Sequence, residues 1–219
     1  MDYRSLLTIP LAALAISASG ADKLRQPQGW IAGSSYVWPQ GASHEAGVAP
    51  ETEASGHRAL TVKAIGERGM SDIGSISQYV FGYAGKRARF TAQVKAIGVD
   101  GWAGLVIGDG FLPLWLHPGA READTALPRG AAACPDWCEV SVVADIPASG
   151  NGVAQVGLAL AGNGQAWARD LTLETVGPEV PLSTGGFAEK ASEAQKAARE
   201  KFLSERAAKA TPPVNLLLQ

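Results

Sequence analysis

Six tryptophans are the residues of this chain whose chemistry is easiest to interpret. Sugar rings have apolar faces that stack on exposed indoles, while their hydroxyls hydrogen-bond to Arg, Asp, Asn and Gln side chains. Trp102 and Trp167 lie in segments of strand-like alternation, which favours a packing role. Trp38 and Trp115 lie in irregular, proline-bounded chain. We therefore take Trp38 and Trp115 as candidate ligand platforms.

Residues 87–96 could supply the polar half of such a site, because they alternate strictly between apolar and polar side chains. Alternation of period two indicates a strand with one face for a core and one for water or a ligand. Phe90 and Val94 represent the apolar face. On the polar face, Arg87, Arg89 and Gln93 are the candidate ligand-binding residues. A plain solvated sheet face explains the same pattern.

Acidic and histidine side chains do not form a recognisable catalytic motif. A glycosidase needs two carboxyl groups flanking a cleft, one with a raised pKa. The candidate acids all fall at turns or strand ends, where Asp is an ordinary turn residue: Asp100, Asp109, Asp136, Asp145 and Asp170. The three histidines lie in separate loops, and no Gly-x-Ser-x-Gly motif is present. We predict no catalytic residue, no metal site and no cofactor.

Cys134 and Cys138 are the two cysteines of the chain, within Cys-Pro-Asp-Trp-Cys. Their spacing differs from a redox Cys-x-x-Cys, and two cysteines without a nearby histidine cannot complete a zinc site. We predict a disulfide that shapes a turn at the start of a strand. Two free thiols are the alternative.

The first 21 residues have the organisation of a signal peptide. Arg4 precedes an apolar run of roughly 11 residues, Leu6 to Ile16, and small residues follow up to Ala21. The run is shorter than the ~20 residues that a membrane-spanning helix needs. We expect cleavage after residue 21, export to a periplasm or beyond, and no transmembrane segment afterwards. An uncleaved anchor is the alternative, whereas a lipoprotein would need a cysteine after the run.

The body of the chain reads as an all-β domain over residues 22–180. Gly is frequent, at 26 residues, and charged residues make up 18%, which is typical of a turn-rich β protein. We expect irregular chain with one or two short edge strands over 27–50, and a long irregular segment over 111–135. Alternating segments that predict strands are 58–65, 76–81, 87–96, 102–107, 138–146, 153–160 and 166–176. Short strands separated by Gly-rich turns favour an antiparallel jelly-roll β-sandwich.

Residues 181–219 differ in composition from the sandwich. Phe187 to Ala210 is rich in Ala, Glu, Lys and Arg, with apolar residues at helical spacing, and predicts a C-terminal α-helix. This helix either lies loosely against the sandwich or stands in solvent, and the alternative is that it binds a protein partner. The apolar tail Pro212 to Gln219 is expected to dock back as an edge strand.

Taken together, these segments resemble a family of poorly characterised bacterial β-sandwich domains, found alone or appended to regulators and hydrolases. The residues that carry the resemblance are Gly29-Trp30, Tyr36, Gly74, Gln78, residues 83–90, Val94-Lys95, residues 101–105, Asp136-Trp137, residues 142–147 and residues 164–167. Members look like carbohydrate-binding jelly rolls, and the resemblance implies that activity here.

We therefore expect an exported, non-catalytic module that binds a saccharide or a cell-envelope polymer. The alternative is a structural or regulatory protein that binds a partner through the Phe187–Ala210 helix. The third hypothesis is an enzyme that acts on a glycan. The net charge of -2 argues against a nucleic-acid partner.

Overall fold

The computed structural model describes residues 24–34, 36–37, 41–53, 56–108, 126–127, 134–148, 153–183, 201 and 216–218. Within these residues the chain forms twelve strands and one short helix, α1 (Pro50–Glu53). The strands are β1 (Trp30–Ser34), β2 (Tyr36–Val37), β3 (Gly41–Ala42), β4 (His44–Val48), β5 (Leu60–Ala64), β6 (Ile73–Val80), β7 (Arg87–Ile97), β8 (Trp102–Gly108), β9 (Ala126–Leu127), β10 (Cys138–Asp145), β11 (Ala154–Ala161) and β12 (Gln165–Val176).

Two five-stranded sheets form a sandwich. The first sheet has the order β1-β6-β11-β8-β9 and the second has the order β10-β7-β12-β5-β4, while β2 and β3 make a separate hairpin. Every pairing in these sheets is antiparallel. The predicted antiparallel jelly-roll β-sandwich is confirmed.

Strand β7 lies between β10 and β12 and alternates as its sequence predicts. Its apolar side chains from Ala88 to Ala96 are buried, its polar side chains are half-buried, and Ile97 at its end is exposed. Phe90 and Val94 are fully buried in the core. They pack with side chains from both sheets, among them Leu60, Leu105 and Leu158. One face of β7 thus forms a wall of the core, and the other faces outwards.

The predicted strand positions agree with the structure to within a few residues. The seven alternating segments correspond to β5, β6, β7, β8, β10, β11 and β12. Glycines with positive φ make the predicted turn between β11 and β12, with φ of 80° at Gly162 and 101° at Gly164. The two strands lie in different sheets, so this turn crosses between the sheets, and the hairpin that Gly162-Asn163-Gly164 predicts is wrong. The segment 27–50 contains β1 and β4, each at the end of a sheet, plus the β2–β3 hairpin.

After β12 the chain crosses the end of the second sheet in residues 177–183, which we call the strap. Arg87 Nη1 donates to the carbonyl oxygens of Pro178 and Val180, at 2.8 and 2.7 Å. Ser183 and Val143 exchange two hydrogen bonds, N to O at 3.0 Å and Val143 N to Ser183 Oγ at 2.9 Å. The strap therefore covers part of the free edge of β10.

The tail docks on the sandwich, but its described residues form a turn and not the predicted edge strand. Leu218 is 1% exposed and belongs to the core. The predicted signal peptide lies outside the described residues. So does the predicted Phe187–Ala210 helix apart from Lys201, which is helical and exposed. Among the described residues no helix has the length and apolar character needed to cross a membrane.

Candidate functional site

The outer face of the second sheet carries most of the candidate residues, and its two ends differ. Along β7 it runs from Arg87 to Ile97, flanked by outward side chains of β10 and β12. We call the group Arg87, Arg89, Asp145 and Glu174 the paired end. We call the group Lys95, Trp137, Trp167 and Arg169 the aromatic end. These names are kept below.

At the paired end, both arginines already hold carboxylates. Arg87 Nε and Nη2 donate to the two carboxylate oxygens of Asp145, at 2.7 and 3.0 Å. Arg89 Nε and Nη2 donate to Glu174 Oε1, at 2.8 and 2.6 Å. The hydrogen bonds from Arg87 hold the pKa of Asp145 below its ordinary value, and that of Arg87 is raised in turn. A ligand carboxylate would have to compete with Asp145 or Glu174 for the Nε–Nη2 edge of either guanidinium.

The other predicted ligand residues have mixed outcomes. Gln93 lies on the outer face, in register with Glu139 on β10 and Arg169 on β12, nearer the aromatic end. Trp38 and Trp115 lie outside the described residues. Ligand binding by Trp38, Trp115, Arg87, Arg89 and Gln93 therefore stays a prediction.

Trp167 is the central side chain of the aromatic end. It is half-buried and is not part of the core, so the packing role expected for it is wrong. Its neighbours Ala166 and Ala168 are both fully buried, which forces the indole outwards. Trp167 Nε1 donates to Glu51 Oε1 of α1 at 2.7 Å, and Lys95 Nζ lies 5.8 Å from the ring centroid. The small size of its buried neighbours was the sequence signal for this orientation.

A second indole is held at the same end by the predicted disulfide, which is confirmed. Cys134 and Cys138 are bonded, with their Cα atoms 6.0 Å apart. The carbonyl of Cys134 accepts from Ala96 N at 3.0 Å, so the loop is fixed to β7. Trp137, inside this loop, stacks on the guanidinium of Arg169, whose Cζ lies 4.1 Å from the ring centroid. The disulfide thus helps to position an aromatic side chain.

A cavity of about 330 Å³ opens beside Trp167. Its walls come from β5, β7 and the turn before β12: Lys63, Ala64, Gly66, Ile97, Asn163, Gly164, Gln165 and Trp167. Asn163 is fixed by hydrogen bonds to Asp100 Oδ2 at 2.7 Å and to the Arg68 carbonyl at 3.1 Å. Gln165 Nε2 donates to Thr61 Oγ1 at 2.9 Å. An indole, an exposed isoleucine and fixed amides together form a concave, partly apolar surface.

A β-bulge interrupts β12 directly after the aromatic end. Arg169 pairs with Gln93, but Thr172 pairs with Thr91, so β12 has one extra residue there. Asp170 adopts a φ of 54°, which is uncommon for a residue other than glycine. Asp170 and Arg169 are both at least partly exposed, while Leu171 returns to the core. Bulges of this kind re-aim side chains next to functional sites.

Asp100 and His44 have shifted pKa values and are held by hydrogen bonds within the chain. Two hydrogen bonds from Asn163 hold the pKa of Asp100 below its ordinary value, whereas a glycosidase acid needs a raised pKa. His44 is buried between Ser43 Oγ and the Gly162 carbonyl, and its burial lowers its pKa. In the part of the chain that the structure describes, no three His, Cys, Asp or Glu side chains come together as a metal site.

Trp102 is buried, as its strand position predicts, but it lies outside the main core. It packs with Val106, Ala159 and Ala161 on the other face of the first sheet. Its Nε1 atom is buried and has no hydrogen-bond partner in the part of the chain that the structure describes. The packing role is therefore confirmed, on the opposite side of the sandwich from Trp167.

No protein-family model matches the sequence, and no curated protein is significantly similar to it. The enzymatically active domain of tailspike protein 4 from bacteriophage CBA120 matches 68% of this chain, with 11% identity and a TM-score of 0.42. A Clostridium thermocellum xylanase 10B fragment with CBM22-1 and GH10 modules matches 74%, with 14% identity and a TM-score of 0.42. The chain spans 20% and 30% of these two proteins, respectively.

The CBM22-1 xylan-binding domain of Paenibacillus barcinonensis Xyn10C matches over nearly its whole length. The alignment covers 70% of this chain and 90% of that domain, with 13% identity and a TM-score of 0.40. The architecture that the predicted resemblance implies, an antiparallel β-sandwich, is present in this chain as two five-stranded sheets. At these identities and TM-scores, the ligands of those proteins are not transferred to this chain.

Proposed function

We propose that this protein is an exported, non-catalytic module that binds a saccharide or cell-envelope polymer at the aromatic end. The observation that carries the proposal is the half-exposed Trp167 beside a cavity of about 330 Å³. Small-molecule sites are concave and mostly apolar, with a few fixed polar groups, and indoles suit the apolar faces of sugar rings.

The polar groups of this site are held in place before any ligand arrives. Glu51 anchors the Trp167 indole, Asp100 and Arg68 anchor Asn163, and Thr61 anchors Gln165. A side chain that is already ordered loses less conformational entropy on binding. This preorganisation supports a binding role for the surface.

The absence of catalysis and the export are supported by separate observations. The shifted carboxyl groups Asp100 and Asp145 have lowered pKa values, the opposite of a general acid. The Cys134–Cys138 disulfide is of the kind that persists in oxidising compartments outside the cytosol. Mass spectrometry of the protein recovered from its native host tests the predicted cleavage after residue 21.

Calorimetric titration with a panel of plant and bacterial envelope saccharides tests the binding role. We expect one or more to bind, and Trp167→Ala to weaken that binding about tenfold or more, equivalent to about 1.4 kcal/mol. Arg89→Gln is the matched control, because Arg89 lies on the same face of the same sheet at the paired end. Both variants are checked for an unchanged circular dichroism spectrum.

Two results would overturn this assignment. Binding lost in Arg89→Gln and retained in Trp167→Ala would move the site to the paired end. No response to any saccharide in the panel would remove the proposed function.

A further inference from the structure

The cationic side chains of the aromatic end, Lys95 and Arg169, make fewer hydrogen bonds than the arginines of the paired end. Within the described residues the Lys95 side chain makes no hydrogen bond or ion pair, and its Nζ lies 5.8 Å from the centroid of the Trp167 ring. Arg169 Nε lies 3.6 Å from Asp170 Oδ2, too far for a hydrogen bond. That Nε atom is buried and has no hydrogen-bond partner among the described residues. Two positive groups therefore lie beside the candidate sugar site with donors to spare.

Stacking on Trp137 leaves the donors of Arg169 usable. A guanidinium that stacks on an indole uses its flat face, while its N–H groups point outwards in the plane of the fork. The Nη1 and Nη2 groups of Arg169 make no hydrogen bond to a described residue, so an acceptor that reaches them would gain a charge-assisted hydrogen bond. Carboxylate is the acceptor that matches the guanidinium fork in two hydrogen bonds.

Lys95 and Arg169 are placed to reach the same group. Lys95 pairs with Trp167 across the sheet, and Arg169 follows Trp167 by two residues on the same face. Such diagonal neighbours have Cβ atoms about 7–8 Å apart, within reach of long side chains. The regular pairing of β12 with β7 is interrupted by the bulge after Arg169. Asp170 in this bulge is a carboxylate that would compete with a ligand for Arg169.

We propose that the bound saccharide is acidic, with a uronate carboxylate held by Arg169 and Lys95 while a sugar ring stacks at Trp167. This inference rests on the proposed function and names the chemical class of its ligand. Glu51 and Glu139 are the other acids of this surface. Glu51 is already occupied by the Trp167 indole, and Glu139 is in register with Gln93.

The test compares oligosaccharides of polygalacturonate with the same oligosaccharides after chemical reduction of their carboxyl groups, by calorimetry on the full chain. We expect the acidic form to bind at least tenfold more tightly, with an affinity that falls as salt is added. Arg169→Gln and Lys95→Gln should each reduce this preference to about threefold or less. Arg89→Gln should preserve the preference, because Arg89 is held by Glu174.

Arg169→Lys adds a finer readout, because it keeps the charge and loses the two-pronged fork. We expect it to retain part of the preference. Lys95 is not part of the bulge. If the Arg169 variants fold poorly, Lys95→Gln therefore still tests whether the ligand is acidic.

The outcomes separate the two proposals. Equal binding of both forms, or an undiminished preference in Lys95→Gln and a folded Arg169→Gln, would overturn the acidic ligand and leave the binding role standing. If neither form binds while neutral saccharides do, the acidic ligand alone is overturned. If no saccharide binds, both proposals are overturned.

Discussion

The paired end and the aromatic end lie on one face of one sheet, yet they use their cations differently. At the paired end, Arg87 and Arg89 donate to carboxylates at hydrogen-bond distance, and Arg87 also holds the strap. At the aromatic end, Lys95 and Arg169 contact indoles and make no hydrogen bonds to described residues. The donors of the paired end are used by groups of the same chain, whereas the aromatic end has donors left for a ligand.

This difference shows that an alternating sequence predicts which face of a strand is polar, but not where on that face a ligand would bind. Every second side chain of β7 faces outwards, whichever end it occupies. Which of these side chains is available depends on partners from β10, β12 and the strap. Those partners are distant in the sequence, so the alternation of β7 cannot predict which of its outward side chains are already paired.

The largest expected effect tests whether the two ends share one core. Phe90 is fully buried beneath β7, and Phe90→Ala should lower the free energy of unfolding by about 3–5 kcal/mol. We expect urea unfolding followed by tryptophan fluorescence and by far-UV circular dichroism to shift together. Thr91→Ala, on the outer face, is the control with a much smaller effect. Two separated transitions would show that the ends unfold independently.

The next effect concerns the disulfide, which belongs to the aromatic end alone. Cys134→Ser with Cys138→Ser removes a small closed loop, and chain entropy predicts a loss of about 2 kcal/mol. Urea unfolding of the double variant measures this loss, and the reduced wild-type protein should reproduce it. An unchanged free energy of unfolding would mean that the loop is held by its backbone hydrogen bonds alone.

A smaller effect tests whether the loop positions Trp137. A double-mutant cycle with Trp137→Leu and Arg169→Gln should give a coupling of about 0.5–1 kcal/mol in stability. Repeated in the background without the disulfide, the same cycle should give a coupling near zero. Equal coupling in both backgrounds would contradict a positioning role for the disulfide.

The smallest effect belongs to the paired end and depends on pH. The pKa of Asp145 is lowered in the folded protein by the hydrogen bonds from Arg87, so the folded state favours the carboxylate. Its contribution is present above the unfolded-state pKa of about 3.9 and is lost as pH falls through the lower folded-state pKa.

Asp145→Asn should therefore lower the melting temperature slightly at pH 7 and have little effect near pH 2. Asp136→Asn is the control, since Asp136 is exposed and forms no ion pair with a described residue. A deficit in Asp145→Asn that persists unchanged at low pH would contradict this account.

Much of the fold was predictable from the sequence, because the face that each side chain of a strand occupies follows from the alternation of its neighbours in the chain. Phe90 and Val94 share a face of β7 for the same steric reason in any sandwich. The sequence also contained the evidence for Trp167, since Ala166 and Ala168 identify the inward face of β12. Treating a tryptophan within a strand as packing overlooked that evidence.

The pairing of the arginines could not be predicted, because it depends on register between distant strands. Asp145 and Arg87 are 58 residues apart, and Glu174 and Arg89 are 85 residues apart. The bulge at Asp170 is different, because the inward positions of β12 change from Ala166 and Ala168 to Leu171, and this break in the alternation is visible in the sequence.

The docked tail has a consequence for how this chain tolerates change. Leu218 is buried in the core, and its carbonyl accepts from Arg25 Nη2 and Arg58 Nη1, both at 3.5 Å. The chain is therefore anchored at Ser183 and again at Leu218, and residues 184–215 connect two fixed points. A change at Leu218 should therefore be tolerated less well than a change on the exposed surface, because Leu218 is part of the core.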